Sequence, residues 1–93
     1  MGFTKDSTVE MAKKDLAKRL SVDAAEIEKK SVVERDFPDM SLGAPVDGEM
    51  SAQMISSGWQ IELTAGKKTY EYRADKYQLR LHNFKGENFV IVN

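Results

Sequence analysis

Cysteine is absent from the sequence and histidine occurs only once, which narrows the chemistry open to the chain. Without thiols there is no disulfide, no Cys-ligated zinc site and no thiolate nucleophile. The one histidine, His82, has no recognisable partners for a hydrolytic triad or a multi-histidine metal site. It follows Leu81 in an alternating pattern, so we expect its side chain to face solvent. We expect no catalytic residue, no resident metal and no cofactor.

Long apolar runs are also missing. The longest is Phe89-Val90-Ile91-Val92, far short of the ~20 residues that span a bilayer. The first residues contain no apolar core of a secretory signal. We expect no membrane span and a cytoplasmic location by default, with export only if a leader precedes the printed sequence.

Glycine is too scattered to form a phosphate-binding loop, and no Walker or dinucleotide motif occurs. Ser56-Ser57-Gly58 lacks the flanking glycines of a nucleophile elbow, and we interpret it as a strand bulge or tight bend. Residues 36–66 carry five acidic side chains and no basic one, which disfavours a phosphate-backbone partner. The aromatic residues alternate with polar ones, as core residues do. No nucleic-acid partner is expected.

The 93 residues fit one domain, with residues 1–6 expected to be disordered. A chain of this length buries a thin core. We therefore expect a working site at a surface groove or edge rather than in a deep cavity.

One amphipathic helix is predicted over residues 8–20. Ser7 and Glu10 have the spacing of a capping box, with Ser7 as the N-cap. An apolar stripe at helical spacing follows, formed by Val9, Ala12, Leu16 and Leu20. A second capping box, from Asp23 to Glu26, predicts a short helical turn over residues 24–29.

Near residue 31 the apolar period changes from 3.6 to 2, which predicts antiparallel strands joined by short turns. A strand ends at Phe37, and another is expected to start within residues 52–55. One sheet face carries the larger apolar residues, namely Trp59, Ile61, Leu63, Tyr70, Tyr72, Leu79 and Leu81. The predicted fold is α+β, with the helix packed on that face of a four- or five-stranded meander and the other face in water.

Residues 38–50 form a predicted loop with two prolines, two glycines and no periodicity. Loops of this length in small domains are usually functional or disordered. Its acidic residues, with Asp36 just before it, suggest a hard-cation site as one alternative, although their spacing does not match a calcium-binding loop.

The run Phe89-Val90-Ile91-Val92 is apolar on both faces. It is either a covered central strand or an edge that pairs with another chain, and the sequence leaves both open.

The segment Pro38-Asp39-Met40-Ser41-Leu42-Gly43-Ala44-Pro45, followed by Gly58-Trp59-Gln60-Ile61-Glu62-Leu63 and Tyr70-Glu71-Tyr72-Arg73-Ala74-Asp75, resembles a group of small uncharacterised prokaryotic domains. Members of that group are often secreted or lipid-anchored. The chain departs from them at Ala44, where cysteine is common, and at Phe37, where tryptophan is common. The resemblance implies no known activity.

The order of a helix followed by a meander is also similar to PepSY and cystatin-like domains. That resemblance implies a non-catalytic module, in some relatives one that restrains a peptidase. We therefore expect a non-enzymatic binding module with a protein or peptide partner, as a monomer or weak homodimer. The candidate contact residues are Leu42, Gly43, Pro45, Val46 and Met50. The alternatives are a small metal-binding domain or enzyme that uses the acidic loop, and a homodimer formed through the last strand.

Overall fold

The computed structural model describes residues 2–93 as one helix followed by a five-stranded antiparallel sheet. Helix α1 spans Lys5–Leu20, and a single 3-10 turn spans Ala24–Glu26. The strands are β1 (Ile27–Phe37), β2 (Ser56–Ala65), β3 (Lys68–Ala74), β4 (Leu79–Phe84) and β5 (Glu87–Val92). They lie in sequence order, so β1 and β5 are the two edges. The predicted α+β meander is confirmed.

The apolar stripe of α1 covers one face of the sheet. Ala12 and Leu16 are fully buried against side chains of the central strands. The fully buried sheet residues on this side are Ile61, Leu63, Tyr72, Ala74, Leu79 and Leu81. Trp59 and Tyr70, which were predicted for the same face, pack at its margin and are partly buried.

Asp15 joins the helix to the middle of the sheet. One of its carboxylate oxygens, Oδ2, accepts hydrogen bonds from the Tyr72 hydroxyl and from Arg19 Nε, each at 2.7 Å. Burial, reinforced by this bond, raises the pKa of the Tyr72 phenol above its usual range. The hydroxyl therefore acts as a fixed donor that orients α1 on β3.

The helix begins earlier than residue 8. Thr4 is the N-cap: Ser7 N–H donates to Thr4 Oγ1 at 3.1 Å, and Thr4 N–H donates to Ser7 Oγ at 2.9 Å. The sequence offers two overlapping capping boxes, and the prediction chose the wrong one. Residues 5 and 6 lie in the helix rather than in the expected disordered segment, and Phe3 N–H bonds the Lys76 carbonyl at 2.8 Å. Met1 lies outside the described residues.

The second helical turn is shorter than predicted. It stops at Glu26, whose carboxylate accepts from Asp23 N–H at 3.2 Å as the capping box predicts. Ile27 is already in β1, paired with Ala65, and its side chain is buried in the core. Strand pairing and burial outweigh local helix propensity here.

Two expectations about the start of β2 are wrong. The strand starts at Ser56 rather than within residues 52–55, so the unpaired segment runs through residues 38–55. Ser56-Ser57-Gly58 is regular strand, paired without interruption to β1, and the irregularity lies instead between Lys29 and Ser31. Gly58 is required for close packing, because a Cβ there would overlap the Ala74 carbonyl oxygen.

The opposite sheet face was expected to meet water, and this is also wrong for much of its area. The segment 38–55 folds back over it, and we call this side the loop face. Arg73, Gln78 and Arg80 are buried there. Within residues 2–93, no helix is both long and apolar enough to cross a membrane.

Replacing Gly58 by alanine is expected to reduce the free energy of unfolding by about 3 kcal/mol or more, because the added methyl group collides with rigid backbone. Gly48→Ala is the matched control. Gly48 has open space but a φ of +80°, so its cost is about 1 kcal/mol of backbone strain. Urea unfolding followed by circular dichroism measures both. Equal losses would contradict the close approach of β2 to Ala74.

Candidate functional site: a loop clamped on the sheet and an apolar patch beside it

The segment 38–55 has a small apolar core of its own on the loop face. Phe37, Leu42 and Ala44 are each fully buried, and none belongs to the cluster under α1. The sheet therefore separates two apolar layers. The loop is packed against the domain rather than projecting from it.

Two arginines from the central strands hold the loop by its carbonyl groups. Arg73 Nη1 donates to the Leu42 carbonyl at 3.0 Å and to the Gly43 carbonyl at 3.1 Å. Arg80 Nη1 donates to the Ala44 carbonyl at 3.0 Å. A guanidinium group has five N–H donors in a fixed plane, which suits it to bind several acceptors at once.

Arg80 also forms a nearly buried ion pair with Glu49. The distances from Nη1 and Nη2 to the two carboxylate oxygens are 2.6 and 2.5 Å, a bidentate arrangement. The Arg80 side chain is only 4% exposed. Hydrogen bonds from Arg80 hold the pKa of Glu49 below its ordinary value of 4.5. Arg80 therefore binds the outgoing arm of the loop at Ala44 and the returning arm at Glu49.

Two side-chain amides complete the set of bonds by which Arg73 and Arg80 hold the loop on the sheet, which we call the clamp. Gln78 Nε2 donates to the Met40 carbonyl at 2.6 Å, and its Oε1 accepts from Arg80 Nε at 2.7 Å. Asn88 Nδ2, in β5, donates to the Pro45 carbonyl at 2.8 Å. The loop thus crosses from the end of β1 to β5 and is bonded along its way.

Asp39 folds the loop internally. Its Oδ1 accepts from Ser41 Oγ at 2.6 Å, Ser41 N–H at 2.9 Å and Gly43 N–H at 3.2 Å. The Ser41 hydroxyl, followed by the Gly43 amide, lowers the pKa of Asp39. Gly43 has a φ of +67°, and a Cβ there would approach Arg73 Nη1 to 2.7 Å. These contacts give a structural reason for the aspartate, serine and glycine of this run.

The candidate contact residues are divided between interior and surface. Leu42 is 0% exposed, so its side chain is not available to a partner in this conformation. Gly43 is half-buried, and its carbonyl is bound by Arg73. Pro45 is exposed, Val46 is half-buried, and Met50 is 97% exposed.

The acidic residues of the middle segment point to different partners. Asp36 accepts from Ser57 Oγ at 2.7 Å, Asp39 caps the loop and Glu49 pairs with Arg80. Across residues 2–93 no three His, Cys, Asp or Glu side chains are grouped for a metal ion.

His82 is half-buried on the loop face rather than exposed, with Nδ1 3.6 Å from Glu71 Oε2. Burial and the nearby Arg73 charge lower the pKa of His82. The imidazole therefore tends to be neutral at pH 7.

Sequence reasoning missed a group of exposed apolar side chains on the segment 38–55 and on the turn before β4, which we call the end patch. Its members are the exposed side chains of Met40, Met50, Met54, Ile55 and Tyr77. Ile55 is 73% and Tyr77 71% exposed. The sequence did contain a signal for the patch, because the segment 38–55 has large apolar residues but no periodicity that would bury them.

Asp75 ties the backbone of the end patch together. Its Oδ2 accepts from Ser56 Oγ, next to Ile55, at 2.8 Å, and its Oδ1 accepts from Tyr77 N–H at 2.7 Å. Met40 joins the same group through two bonds: its carbonyl accepts from Gln78, and its N–H donates to the Ala52 carbonyl at 3.0 Å. The backbone that carries Met40, Ile55 and Tyr77 is therefore held by polar bonds.

A shallow cleft of about 320 Å³ adjoins the end patch. The half-buried Trp59 lines it together with Ser57, Gly58, Lys76 and the last charged residues of β1. Lys76 lies between Asp75 and Tyr77 in the chain, so the cleft and the patch share one border. Together they offer an aromatic wall, apolar side chains and charges of both signs.

Comparison with known proteins identifies a family. Residues 9–82 match a family model described as a domain of unknown function, DUF8738. No curated protein and no solved structure matches the chain. The matched range includes α1 from Val9 onward, the clamped loop and both arginines.

Leu42→Ala is expected to lower the free energy of unfolding by about 3 kcal/mol, since it leaves a cavity in the loop-side core. Pro45→Ala, on the exposed side of the same loop, should cost less than about 1 kcal/mol, mainly through the greater freedom of the unfolded chain. Urea denaturation monitored by Trp59 fluorescence compares them. A small loss at Leu42 would show that the loop is not packed on the sheet.

Acid is expected to weaken the clamp. Glu49 and Asp39 have lower pKa values in the folded state than in the unfolded state. At acidic pH the unfolded chain therefore binds more protons than the folded chain. The free energy of unfolding should therefore fall as the pH drops from about 5 through those values. Glu49→Gln should flatten this dependence, whereas Glu34→Gln, on an exposed β1 residue, should leave it unchanged. Identical pH profiles for Glu49→Gln and wild type would contradict the assignment.

Proposed function

The chain belongs to the DUF8738 family of domains of unknown function, and we propose that it is a non-catalytic module that binds an apolar segment of a protein partner at the end patch. The observation that carries this proposal is that Met40, Ile55 and Tyr77 have exposed apolar side chains on segments that polar bonds from Asp75 and Gln78 hold together. Five of the chain's seven exposed large apolar residues, within residues 2–93, belong to the end patch.

The composition of the end patch suits a protein partner. Three of its five members are methionines, whose flexible, polarizable side chains adapt to varied apolar surfaces. Tyr77 adds an aromatic ring with a polar tip, a combination enriched at interfaces. The adjoining cleft beside Trp59 accommodates one anchoring side chain of the partner.

The fixed backbone beneath the patch supports the same proposal. Binding loses affinity when loops must be ordered, and a segment that is already held avoids most of that cost. Here Asp75 and Gln78 bond the segments that carry Ile55, Tyr77 and Met40. The patch is thus organised before a partner arrives.

The absence of catalysis is part of the proposal. The polar side chains concentrated on the loop face are engaged with one another and with loop carbonyls, as the pairs of Arg80 with Glu49 and of Arg73 with Glu71 illustrate. Such a network accounts for their burial without a substrate. The resemblance to PepSY and cystatin-like domains makes a peptidase the first class of partner to test, with restraint of its activity as the finer proposal.

The test places a photo-crosslinking amino acid at Ile55 and, as a control, at the exposed Lys67 near the opposite end of the sheet. A partner crosslinked at residue 55 but not at residue 67 is purified, and its affinity for the unlabelled chain is measured by calorimetry. If that partner is a peptidase, its turnover with and without the chain tests the finer proposal.

In that calorimetric assay, the double variant Met54→Ser, Ile55→Ser is expected to weaken binding about tenfold or more, because two apolar contacts are lost. Its free energy of unfolding should stay within about 0.5 kcal/mol of wild type, since both side chains are exposed. Val33→Ser removes an exposed apolar side chain outside the patch and should leave the affinity unchanged. Equal weakening by Val33→Ser, or none by the double variant, would contradict the end patch as the binding surface.

A further inference from the structure

The two edges of the sheet differ in their protection against strand pairing. Six of the eleven residues of β1 are charged. Register irregularities do not distinguish the edges, since the β1–β2 pairing has one and the β4–β5 pairing has two. Charged side chains are a common device that keeps an edge from pairing with another chain. In β5 only the first residue, Glu87, is charged, and the four residues 89–92 are apolar. By this criterion β1 is a blocked edge and β5 an open one.

Strand β5 is anchored firmly enough to serve as a template. Phe89 packs under the Arg19 guanidinium, whose carbon lies 4.5 Å from the ring centroid, and contacts Phe84 at 6.2 Å between ring centroids. Asn88 is bonded to the loop through Pro45. Among residues 2–93 no strand pairs with the outer side of β5.

On the helix side, the surface next to this edge carries positive charge. A groove between α1 and β5 is lined by Met11, Lys14, Asp15, Lys18, Ile91 and Val92. Asp15 is already engaged by Arg19 and Tyr72, whereas Lys14 and Lys18 are exposed. A strand placed along β5 would therefore meet apolar side chains at the sheet and two ammonium groups above it.

This charge argues against a second copy of the chain as the occupant. Antiparallel pairing of two β5 strands about a two-fold axis would put both helices on the same face of a continuous sheet. The lysines of one helix would then face those of the other across the new pairing, and like charges in that position repel. The same lysines attract an acidic segment.

We propose that the open edge of β5 binds an extended segment of a partner protein by strand addition, and that this segment alternates apolar and acidic side chains. Backbone hydrogen bonds to β5 supply the pairing. Successive side chains of the added strand point to opposite faces, so the acidic ones lie on the helix side and reach Lys14 and Lys18. The apolar ones lie on the loop face, beside Val90, which is paired with Arg80. This surface is separate from the end patch, so each is tested without reference to the other.

The probe is a synthetic peptide of alternating valine and glutamate, compared with a peptide in which lysine replaces glutamate. The glutamate peptide is expected to shift the NMR signals of residues 88–93 and to slow exchange of the outward β5 amides. It should bind about tenfold more tightly than the lysine peptide, the value of two exposed ion pairs. Methylating alternate peptide nitrogens should abolish binding for one alternate set and not for the other, because only one edge of the peptide faces β5.

A charge reversal provides the control within the chain. Lys14→Glu with Lys18→Glu should invert the preference, so that the lysine peptide binds about tenfold more tightly than the glutamate peptide. Lys29→Glu with Lys30→Glu, near the β1 edge, should change neither affinity. Thermal unfolding of both double variants confirms that these exposed positions tolerate the change.

Three results would overturn the proposal: no peptide binding at millimolar concentration, shifts confined to residues outside β5 and α1, or an unchanged preference after charge reversal. Sedimentation of the chain alone supplies a fourth. A dimer that protects the β5 amides would identify a second copy as the occupant of this edge.

Discussion

The guanidinium groups of Arg73 and Arg80 bear on nearly every other feature of the loop face. Each emerges from a central strand and enters the space beneath the loop, where an unpaired charge would be strongly destabilising. Carbonyl groups of Leu42, Gly43 and Ala44 surround them, and Glu49 neutralises Arg80. The carbonyls in turn have few other partners, because the loop has no strand or helix of its own. The guanidinium groups and the loop carbonyls thus satisfy each other's need for hydrogen-bond partners.

This mutual arrangement determines what the loop can do. A segment without regular structure is usually the most mobile part of a small domain. A partner that binds such a segment must order it, and the lost conformational entropy lowers the affinity. Here the polar bonds convert residues 39–49 into a fixed layer of the fold. Mobility is then expected to concentrate in the exposed side chains, above all Met50 and Met54, rather than in the backbone that carries them. A surface of that kind combines a defined position with adaptable contacts.

The periodicity of the sequence was sufficient for the helix, the meander and the helix-side core, because those elements bury one face at a regular spacing. It was insufficient for the loop face. Arg73 and Arg80 alternate with apolar neighbours just as solvent-facing arginines do, and no local pattern shows that a distant loop covers them. The same limit explains why Leu42 was taken for a contact residue. Its burial accompanies the anchoring of its carbonyl by Arg73, thirty-one residues away in the chain, which no local pattern reveals. The predicted start of α1 was wrong for a simpler reason, since both Thr4 and Ser7 have the residue type and spacing of an N-cap.

The approach of Gly43 to Arg73 has an evolutionary consequence. Any side chain at position 43 would meet both a left-handed backbone and the tip of the guanidinium group, so the arginine adds a second reason for glycine to the backbone's own. Conversely, the arginine finds its carbonyl acceptors only while the chain turns sharply at that glycine. The two positions, thirty residues apart in the chain, therefore form one inherited unit. Drift at either would be tolerated chiefly when the other changes in the same lineage.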